Sequence, residues 1–360
     1  ASTARGHHGL DLALLTDGLR AEREQGITID VAYRYFATPQ RRFILADTPG
    51  HVQYTRNMVT GASTAQLTIV LVDARTGLVD QTRRHAAIAA LLRVPHVVLA
   101  VNKMDLADWN EAMFTAIEAE FTTLAKELGI PQVTAIPISA LHGDNVVDPS
   151  AHLDWYAGPT VLEHLETVPV DDTEELTAPA RLPVQYVIRP PGSDYRGYAG
   201  RLESGTLHLG QPVTVLPSGE QSTIAAIDLL GGPAETARAG QSLTVRLTGE
   251  IDIARGDLIA PTPAAPQAVK DLTATACHLH ETPLRPREKV LIQHGTRTVR
   301  GIVTAIDTDS GELALNEIAP LTVRTAEPLP VDAYAANRRT GAFLLIDPAD
   351  GTTRTAAMAV

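Results

Sequence analysis

Five consecutive residues of types that bind phosphate and magnesium follow an apolar segment of the chain. They are Asp47, Thr48, Pro49, Gly50 and His51. Residues 42–47 have the composition of a strand, and ligands of open α/β sheets lie beyond the carboxyl ends of such strands. A carboxylate at Asp47 can hold Mg²⁺ through a water molecule, because Mg²⁺ loses its water reluctantly. Gly50 has no Cβ, so its backbone N–H can approach a terminal phosphate closely. The D-x-x-G pattern is common by itself, and a strand-to-helix turn capped by Asp47 is the alternative interpretation.

A second group of polar residues follows the apolar segment 96–101. It consists of Asn102, Lys103, Met104 and Asp105. A carboxylate at Asp105 can accept hydrogen bonds from the N1–H and the amino group of guanine, whereas adenine would leave it unpaired. Because a buried unpaired polar group is costly, such a site would reject adenine. Asn102 can bridge neighbouring loops, and the aliphatic part of Lys103 can lie over the purine ring.

A third short segment follows the apolar residues 133–138, and it consists of Ser139, Ala140 and Leu141. Its backbone N–H groups can reach the carbonyl oxygen of guanine. The Ser–Ala pair alone carries little information, since it commonly begins a loop or caps a helix. The order of the three segments, and the position of each after a strand, favour a guanine nucleotide site.

The first 165 residues alternate apolar segments with helical patterns. Segments 42–47, 67–73, 96–101 and 133–138 are nearly continuous in apolar and β-branched residues, as in the buried strands of a parallel sheet. Residues 81–93 and 109–128 predict helices. The second helix has one apolar stripe, formed by Met113, Ile117, Phe121, Leu124 and Leu128. Residues 29–41 predict an edge hairpin with its turn at 38–40. The region therefore predicts a doubly wound, mostly parallel α/β fold.

The remaining sequence consists of short alternating segments broken by glycines, which is typical of antiparallel barrels. The acidic residues 168–175 and the prolines at 261, 263 and 266 predict two linkers. We therefore expect an α/β nucleotide-binding domain at 1–172 and β-barrels at 180–262 and 268–360. In the second barrel we expect Cys277 in the core and His278, which alternates with it, at the surface.

Composition limits the classes of function. The 360 residues include 30 Lys and Arg against 42 Asp and Glu, and this net charge of −12 argues against a general nucleic-acid or anionic-membrane binder. One cysteine excludes an internal disulfide and a multi-cysteine metal site, so a reducing cytoplasm is the expected compartment. No apolar stretch is long enough to span a membrane. We expect neither a nucleic-acid partner nor a membrane partner.

Together the three polar segments resemble those of translation-factor-type GTPases. Residues Gly26–Ile27–Thr28 are similar to the first switch segment of that superfamily. The resemblance implies that Thr28 contacts Mg²⁺ and the γ-phosphate of bound GTP, and that His51 positions the attacking water. Positioning the nucleophile is much of what phosphoryl transfer requires of a protein. Without a nucleotide, Thr28 would be an ordinary residue at the start of a strand and His51 an exposed residue at the start of a helix.

Longer stretches resemble one branch of this superfamily, the large GTP-hydrolysing subunit of bacterial sulfate adenylyltransferase. They are residues 17–36, 51–58, 60–64, 182–190, 195–200, 327–329 and 340–343. The resemblance implies a P-loop-type GTPase domain followed by two barrels, with GTP and Mg²⁺ as cofactors. It also implies a separate small catalytic subunit that makes adenosine 5′-phosphosulfate and pyrophosphate from ATP and sulfate, a reaction that GTP hydrolysis drives. In some bacteria an adenylylsulfate kinase domain is fused to the C-terminus of the large subunit.

One motif of the superfamily has no counterpart in the sequence. The phosphate loop, G-x-x-x-x-G-K-[ST], requires a Gly–Lys pair, and the chain contains none. The backbone amides and the lysine of that loop surround the phosphates. Either a preceding segment contains the loop or nucleotide binding has been lost, and the intact remaining motifs favour the first explanation. Two other functions remain as alternatives: an elongation-factor-like GTPase that delivers a tRNA, and a nucleotide-free structural subunit.

Overall fold

The computed structural model describes residues 28–170 and 176–360. They fall into two compact units, one within Ala1–Val170 and one within Asp171–Val360. The first unit contains helices and strands and the second consists almost entirely of strands. The predicted order, an α/β region followed by β-rich regions, is therefore confirmed. Gly26 and Ile27 of the predicted first switch, and residues 171–175 of the first predicted linker, lie outside the described residues.

The first unit begins with a hairpin and continues with alternating strands and helices. Its strands are β1 (Ala32–Ala37), β2 (Arg42–Asp47), β3 (Leu67–Asp73), β4 (His96–Asn102) and β5 (Val133–Pro137). Its helices are α1 (Thr55–Ala62), α2 (Asp80–Leu91), α3 (Glu111–Glu127) and α4 (Val161–Thr167), with 3₁₀ turns at Val52–Tyr54 and Met104–Ala107. Strands β3, β4 and β5 form a parallel sheet in that order. This sheet, with helices between its strands, is the α/β fold that the sequence predicts.

The parallel sheet is buried because its strands are nearly all apolar. In β4 the five residues from Val97 to Val101 are at most 1% exposed. Helix α2 contacts β3 and buries Ala86, Ile88 and Ala89 completely. The carboxyl ends of these strands therefore form a firm base for the loops that follow them.

The buried face of α3 differs from the predicted one at its ends. Its buried residues are Phe114, Ile117, Phe121 and Ala125. Met113, predicted on this face, is 36% exposed. Phe114 takes its place because its ring packs against the rings of Trp155 and Tyr156. The helical spacing alone does not show such long-range partners.

Strand β2 is exposed where the sequence predicts a buried strand. Ile44 is 66% exposed and Leu45 is 44% exposed. Among the described strands β2 pairs with β1 alone, in a hairpin whose turn is held by hydrogen bonds from two backbone N–H groups to the Thr38 hydroxyl. The predicted hairpin is confirmed. The predicted burial of residues 42–47 is wrong, because an apolar strand is buried only where other elements cover its faces.

The second unit begins with ten short strands. They are β6 (Leu182–Pro183), β7 (Tyr186–Ile188), β8 (Gly197–Arg201), β9 (Thr206–His208), β10 (Pro212–Leu216), β11 (Glu220–Leu229), β12 (Gly232–Ala234), β13 (Thr236–Arg238), β14 (Ser242–Leu247) and β15 (Leu258–Pro261). Eight of them form one sheet in the order β6-β15-β10-β11-β14-β8-β7, with β12 paired to β11, while β9 pairs with β13. All these pairings are antiparallel, and a cluster of fully buried residues that includes Leu182, Leu207 and Val215 forms their core.

The last six strands close into a barrel. They are β16 (Ala268–His278), β17 (Lys289–His294), β18 (Arg297–Ile306), β19 (Ile318–Pro330), β20 (Ala342–Ile346) and β21 (Thr353–Ala359), preceded by a 3₁₀ turn at Thr262–Ala264. The order around the barrel is β16-β19-β18-β17-β20-β21. Alternate residues of β16, namely Leu272, Ala274 and Ala276, belong to its core. The second of the two predicted antiparallel barrels is therefore confirmed, and the structure shows that it is closed.

His278 lies in the interior of this region, so its predicted surface position is wrong. It continues the inward row of β16 and is fully buried. Its Nε2 donates to the Thr282 carbonyl oxygen (2.8 Å), and its Nδ1 accepts from the Thr355 hydroxyl (2.9 Å). The neutral imidazole thus satisfies both ring nitrogens, and burial lowers the pKa of His278. Cys277 is also buried, as predicted.

Arg181 joins the eight-stranded sheet to the closed barrel. Its guanidinium, 4% exposed, donates from Nε and Nη2 to the two carboxylate oxygens of Asp332, at 2.9 Å each. The Thr340 hydroxyl donates to the same carboxylate (2.6 Å). A buried ion pair of this kind stabilises the fold only while both partners remain, because an unpaired charge is poorly tolerated away from water.

We expect Asp332→Ala to lower the free energy of unfolding by about 3 kcal/mol, because it leaves the buried Arg181 unpaired. Asp271→Ala is the matched control. It removes an ion pair with Arg324 whose side chains are 64% and 55% exposed, and such a solvated pair contributes little. Urea unfolding of both variants tests the difference. Equal losses would show that the Arg181–Asp332 pair has no particular importance.

Candidate functional site

Loops meet where the parallel strands β3, β4 and β5 end. The register places Asp73, the last residue of β3, beside Asn102, the last residue of β4. The Ala74 N–H donates to the Asn102 carbonyl oxygen (2.9 Å), and the Met104 N–H donates to the Ile138 carbonyl oxygen (3.2 Å). These bonds tie the loop after β4 to the loops on both sides. The predicted segments 102–105 and 139–141 are therefore neighbours.

The side chain of Asn102 bridges two of these loops. Its Oδ1 accepts hydrogen bonds from the Lys103 N–H (2.8 Å) and the Ala140 N–H (2.9 Å). Such bridging is what the sequence predicts for Asn102. The bond also occupies the Ala140 N–H, so the exposed Leu141 is the residue of this segment that offers a backbone N–H to a ligand.

Lys103 is held by an ion pair that its sequence context does not reveal. Its backbone is left-handed, with φ of 62°, and its Nζ lies 3.0 Å from Oδ2 of Asp73. Arg75 donates from Nε and Nη2 to the two oxygens of the same carboxylate, at 3.0 and 2.7 Å. These hydrogen bonds from Arg75, assisted by Lys103, hold the pKa of Asp73 well below its usual range. The carboxylate is therefore charged at neutral pH. The one signal available in the sequence was its position at the end of a strand, which it shares with Asp47.

The side chains in these loops differ in how deeply they are buried. The Asp105 side chain is 16% exposed, and its Oδ2 lies 3.7 Å from Nε2 of His142. Ser139 is fully buried, and its hydroxyl oxygen has no hydrogen-bond partner. Buried polar atoms are nearly always partnered, so this hydroxyl marks a place where bonding is incomplete. Met104 is fully buried, so its side chain anchors the loop in the core.

Aromatic residues support the loop after β4. The Trp109 N–H donates to the Met104 carbonyl oxygen (2.9 Å), and the indole N–H of Trp155 donates to the Trp109 carbonyl oxygen (3.1 Å). The ring of His152 stacks on Trp109, with ring centroids 5.2 Å apart. The sequence alone gives these residues no role, because only the fold brings positions 109 and 155 together.

The segment from Asp47 to His51 leaves the end of β2. Asp47 pairs in register with Ala32 of β1, and Pro49 is buried, while Gly50 and His51 are exposed. A Cβ added at Gly50 would have no protein atom within 4 Å, and its φ lies outside the left-handed region. Nothing in the described protein therefore requires glycine at position 50. A requirement for glycine would come from a bound group.

Helix α1 packs against residues next to both predicted switch positions. Gly61 permits a close approach, because a Cβ there would overlap the methyl group of Thr48. The Asn57 side-chain amide donates to the Ile29 carbonyl oxygen (2.7 Å), beside the half-buried Thr28. The helix thus holds the neighbours of Thr28 and of Asp47.

Within residues 28–170 and 176–360, no group of three or more His, Cys, Asp or Glu side chains could hold a metal ion. A Mg²⁺ ion bound to phosphates needs fewer protein ligands, since it keeps several waters and takes one or two carboxylate ligands. The predicted pair of Thr28 and Asp47 is compatible with a site of that kind.

Comparison with known proteins identifies the family of this chain. Residues 2–176 match the family model of the elongation factor Tu GTP binding domain, and residues 271–360 match the GTP-eEF1A C-terminal domain-like model. Sulfate adenylyltransferase subunit 1 of Aeromonas salmonicida is 48% identical over 361 residues, which cover 98% of this chain and 76% of that protein. The chain belongs to the sulfate adenylyltransferase subunit 1 family. The family resemblance inferred from the sequence is therefore confirmed.

Two other relatives are considerably longer than this chain. The bifunctional enzyme CysN/CysC of Mycobacterium tuberculosis is 51% identical over 372 residues, covering 99% of this chain and 60% of that protein. The bifunctional enzyme NodQ of Azospirillum brasilense is 49% identical over 349 residues, covering 94% and 56%. The chain thus spans 60% or less of the length of these two relatives. None of the helices in the described ranges combines the length and apolar character needed to cross a membrane.

We expect Gly50→Ala to leave the free energy of unfolding nearly unchanged, because its Cβ has open space. The same change should weaken GTP binding about tenfold, because the added Cβ keeps the γ-phosphate away from the backbone N–H and a hydrogen bond to a charged group is lost. GDP binding should weaken less. Gly61→Ala is the contrasting variant and should destabilise the fold by about 1 to 3 kcal/mol through overpacking against Thr48. Thermal unfolding and nucleotide titration of the protein expressed from its complete gene measure both effects. Unchanged GTP affinity would contradict a phosphate contact at Gly50.

We expect Asp105→Asn to change the base preference from guanine towards xanthine. The carboxylate offers two acceptors to the two donors of guanine, whereas the amide offers one acceptor and one donor, which fit the N1–H and C2 carbonyl of xanthine. Against guanine the mismatch costs roughly 1 to 3 kcal/mol, or about one to two decades of GTP affinity. Competition binding with GTP, XTP and ATP measures the change. A variant that keeps its preference for GTP would show that Asp105 does not read the base.

Proposed function

We propose that this chain is the GTP-hydrolysing subunit of a sulfate adenylyltransferase that acts in sulfate assimilation. It couples GTP hydrolysis to the formation of adenosine 5′-phosphosulfate and pyrophosphate from ATP and sulfate. One observation carries the proposal. Asn102, at the end of β4, and the loops after β4 and β5, which contain Asp105 and Ser139, are joined by hydrogen bonds at one edge of a parallel sheet. The name sulfate adenylyltransferase subunit 1 supplies the adenylyl transfer to sulfate, and the family resemblance implies its coupling to GTP hydrolysis.

The guanine base is bound by the loops after β4 and β5. Asp105 accepts hydrogen bonds from the N1–H and the amino group, and segment 139–141 donates to the guanine carbonyl oxygen. Lys103, whose Nζ is fixed by Asp73, lays its aliphatic stem against the face of the ring. The hydrogen bonds of Asn102 support this assignment, because they hold the loop that contains Asp105 against segment 139–141.

The phosphate end of GTP is bound by the segment after β2 and by Thr28. Gly50 donates its backbone N–H to the γ-phosphate, and the open space beside it supports this role. Thr48 and Pro49 hold Gly50 in place, Thr48 through its contact with α1 and Pro49 through its burial.

Thr28 and, through a water molecule, Asp47 hold Mg²⁺, which when bound neutralises charge on the phosphates. His51 orients the attacking water.

The energy of GTP hydrolysis reaches the coupled reaction only through a partner. A small catalytic subunit carries the adenylyl-transfer site, and the two subunits form a heterodimer or a larger assembly. Its affinity for this chain must differ between the GTP-bound and GDP-bound states, because only a difference in affinity can transmit energy. The switch segments at Thr28 and at 47–51 are the surfaces that change with the γ-phosphate.

The relatives and the composition bear on three further points. CysN/CysC and NodQ are bifunctional by name, which agrees with the fused adenylylsulfate kinase domain that the family resemblance implies for some bacteria. A lone, buried cysteine and substrates such as ATP and GTP favour the cytoplasm. A net charge of −12 and the names of the relatives count against delivery of a tRNA by this chain.

We expect His51→Ala to slow GTP hydrolysis about a hundredfold in the complex with the small subunit, since loss of an oriented nucleophile has an effect of that size. GTP affinity should stay the same, which is the sign of a contact made in the transition state alone. Formation of adenosine 5′-phosphosulfate should fall by the same factor, because the two reactions are coupled.

The experiment uses the protein expressed from its complete gene and co-purified with its small subunit. Single-turnover hydrolysis, GTP titration and product yield are measured in parallel, with Gln40→Glu in the exposed hairpin turn as the surface control. Equal product yield with GTP, with GDP and without nucleotide would rule out the coupling.

A further inference from the structure

The side-chain amide of Gln81, in the first turn of α2, forms three hydrogen bonds. Its Nε2 donates to the Gly50 carbonyl oxygen (2.7 Å) and lies 2.8 Å from Nε2 of His85. Its Oε1 accepts from Nη1 of Arg84 (2.8 Å). The two hydrogens of the amide and its oxygen are therefore all engaged.

The chemistry of these partners fixes the orientation of the amide. A carbonyl oxygen can only accept, so the NH₂ group of Gln81 must face Gly50, and a guanidinium can only donate, so the oxygen must face Arg84. The second hydrogen of the NH₂ group then requires Nε2 of His85 to accept. Burial, assisted by the charge of Arg84, lowers the pKa of His85 and so favours the neutral ring that this arrangement needs.

Gln81 connects a fixed element to an exposed one. Its helix is anchored by Ala86, Ile88 and Ala89, which are fully buried. Gly50 and His51 are both exposed. The carbonyl that Gln81 holds belongs to the peptide group between these two residues, and the nitrogen of that peptide is the backbone nitrogen of His51.

We propose that Gln81 is a positioning residue for His51. By holding the Gly50 carbonyl oxygen, it fixes the plane of the Gly50–His51 peptide and hence the point from which the His51 side chain leaves the backbone. The 3₁₀ turn that begins after His51, closed by the bond from the Tyr54 N–H to the His51 carbonyl oxygen (2.9 Å), continues from this fixed plane. Arg84 and His85 keep the amide of Gln81 in the orientation required. The inference rests on the proposed role of His51 in GTP hydrolysis.

The assignment predicts an effect on the chemical step without an effect on binding. Gln81 contacts neither the predicted base site nor the N–H of Gly50, so GTP affinity should not depend on it. A displacement of about 1 Å at a reacting group can cost about a hundredfold in rate, so loss of one anchor should cost about tenfold.

The test compares Gln81→Met, which keeps the length of the side chain and removes the donor, with Gln81→Glu, which places a carboxylate against the Gly50 carbonyl oxygen. Both should slow single-turnover GTP hydrolysis about tenfold, the Glu variant more than the Met variant, while GTP affinity stays the same. Arg83→Gln is the control on the same helical turn. It removes an exposed contact with Glu120 of α3, which is no part of the Gln81 network, and should leave hydrolysis unchanged.

A double-mutant cycle with His51→Ala separates positioning from a general structural role. If Gln81 acts through His51, Gln81→Met should have no further effect on hydrolysis in the His51→Ala background, so the two losses should be strongly non-additive. A merely structural role would slow both backgrounds equally. Thermal unfolding of each variant confirms that the fold is kept.

The outcomes distinguish this inference from the proposed function. If Gln81→Met and Gln81→Glu hydrolyse GTP at the wild-type rate while His51→Ala hydrolyses it slowly, the role of Gln81 is overturned and that of His51 remains. Additive losses in the cycle would also overturn it. If His51→Ala hydrolyses GTP at the wild-type rate, the role of His51 is overturned, and this inference with it.

Discussion

A single side-chain oxygen, Oδ1 of Asn102, holds the candidate base site together. It lies at the carboxyl end of the buried strand β4 and accepts hydrogen bonds from two backbone N–H groups in different loops. The backbone carbonyl of the same residue accepts a third N–H, from Ala74. The loops after β3, β4 and β5 are thereby fixed relative to one another before any ligand arrives. Binding to a prearranged site avoids the entropy cost of ordering these loops.

The two sides of the proposed site differ in how firmly the fold holds them. The base side stands on the buried parallel sheet and is supported by the rings of Trp109 and His152. The phosphate side leaves an exposed hairpin strand, and its Gly50 and His51 are solvent-exposed. A GTPase needs this division, because the base must be recognised in every state, whereas the segments that contact the γ-phosphate must move when it leaves.

The sequence predicts the parts of the site that follow from chain order. Asp47, Asn102 and Ser139 each follow an apolar segment, and the end of a strand is where an α/β fold binds its ligands, so these positions were recognisable. Contacts between residues far apart in the sequence were not recognisable, either beside this site or elsewhere in the fold. Asp73 holds Lys103 from a neighbouring strand, and Arg181 meets Asp332 across 151 positions.

Alternation in the sequence also leaves one choice open at each strand. The pattern around Cys277 and His278 shows that the two side chains point to opposite faces of the strand, but it does not show that the fold covers both faces. The structure turns His278 inward, where Thr282 and Thr355 satisfy both ring nitrogens. The prediction that residues 42–47 are buried was wrong for a related reason, because the composition of a strand does not show which elements cover it. The boundaries of the three predicted domains stay a prediction.

The aromatic residues that support the loop after β4 also determine where the tryptophan fluorescence of this chain originates. The chain contains two tryptophans, and Trp155 donates its indole N–H to the carbonyl oxygen of Trp109 (3.1 Å). Trp109 is in turn bonded to Met104, the residue next to Asp105. Indole emission depends on the polarity and hydrogen bonding around the ring, and both indoles of this chain lie in one small region, so its tryptophan fluorescence reports on that region. That region adjoins the residue assigned to reading the base, and the unlabelled chain therefore carries its own reporter of what happens there.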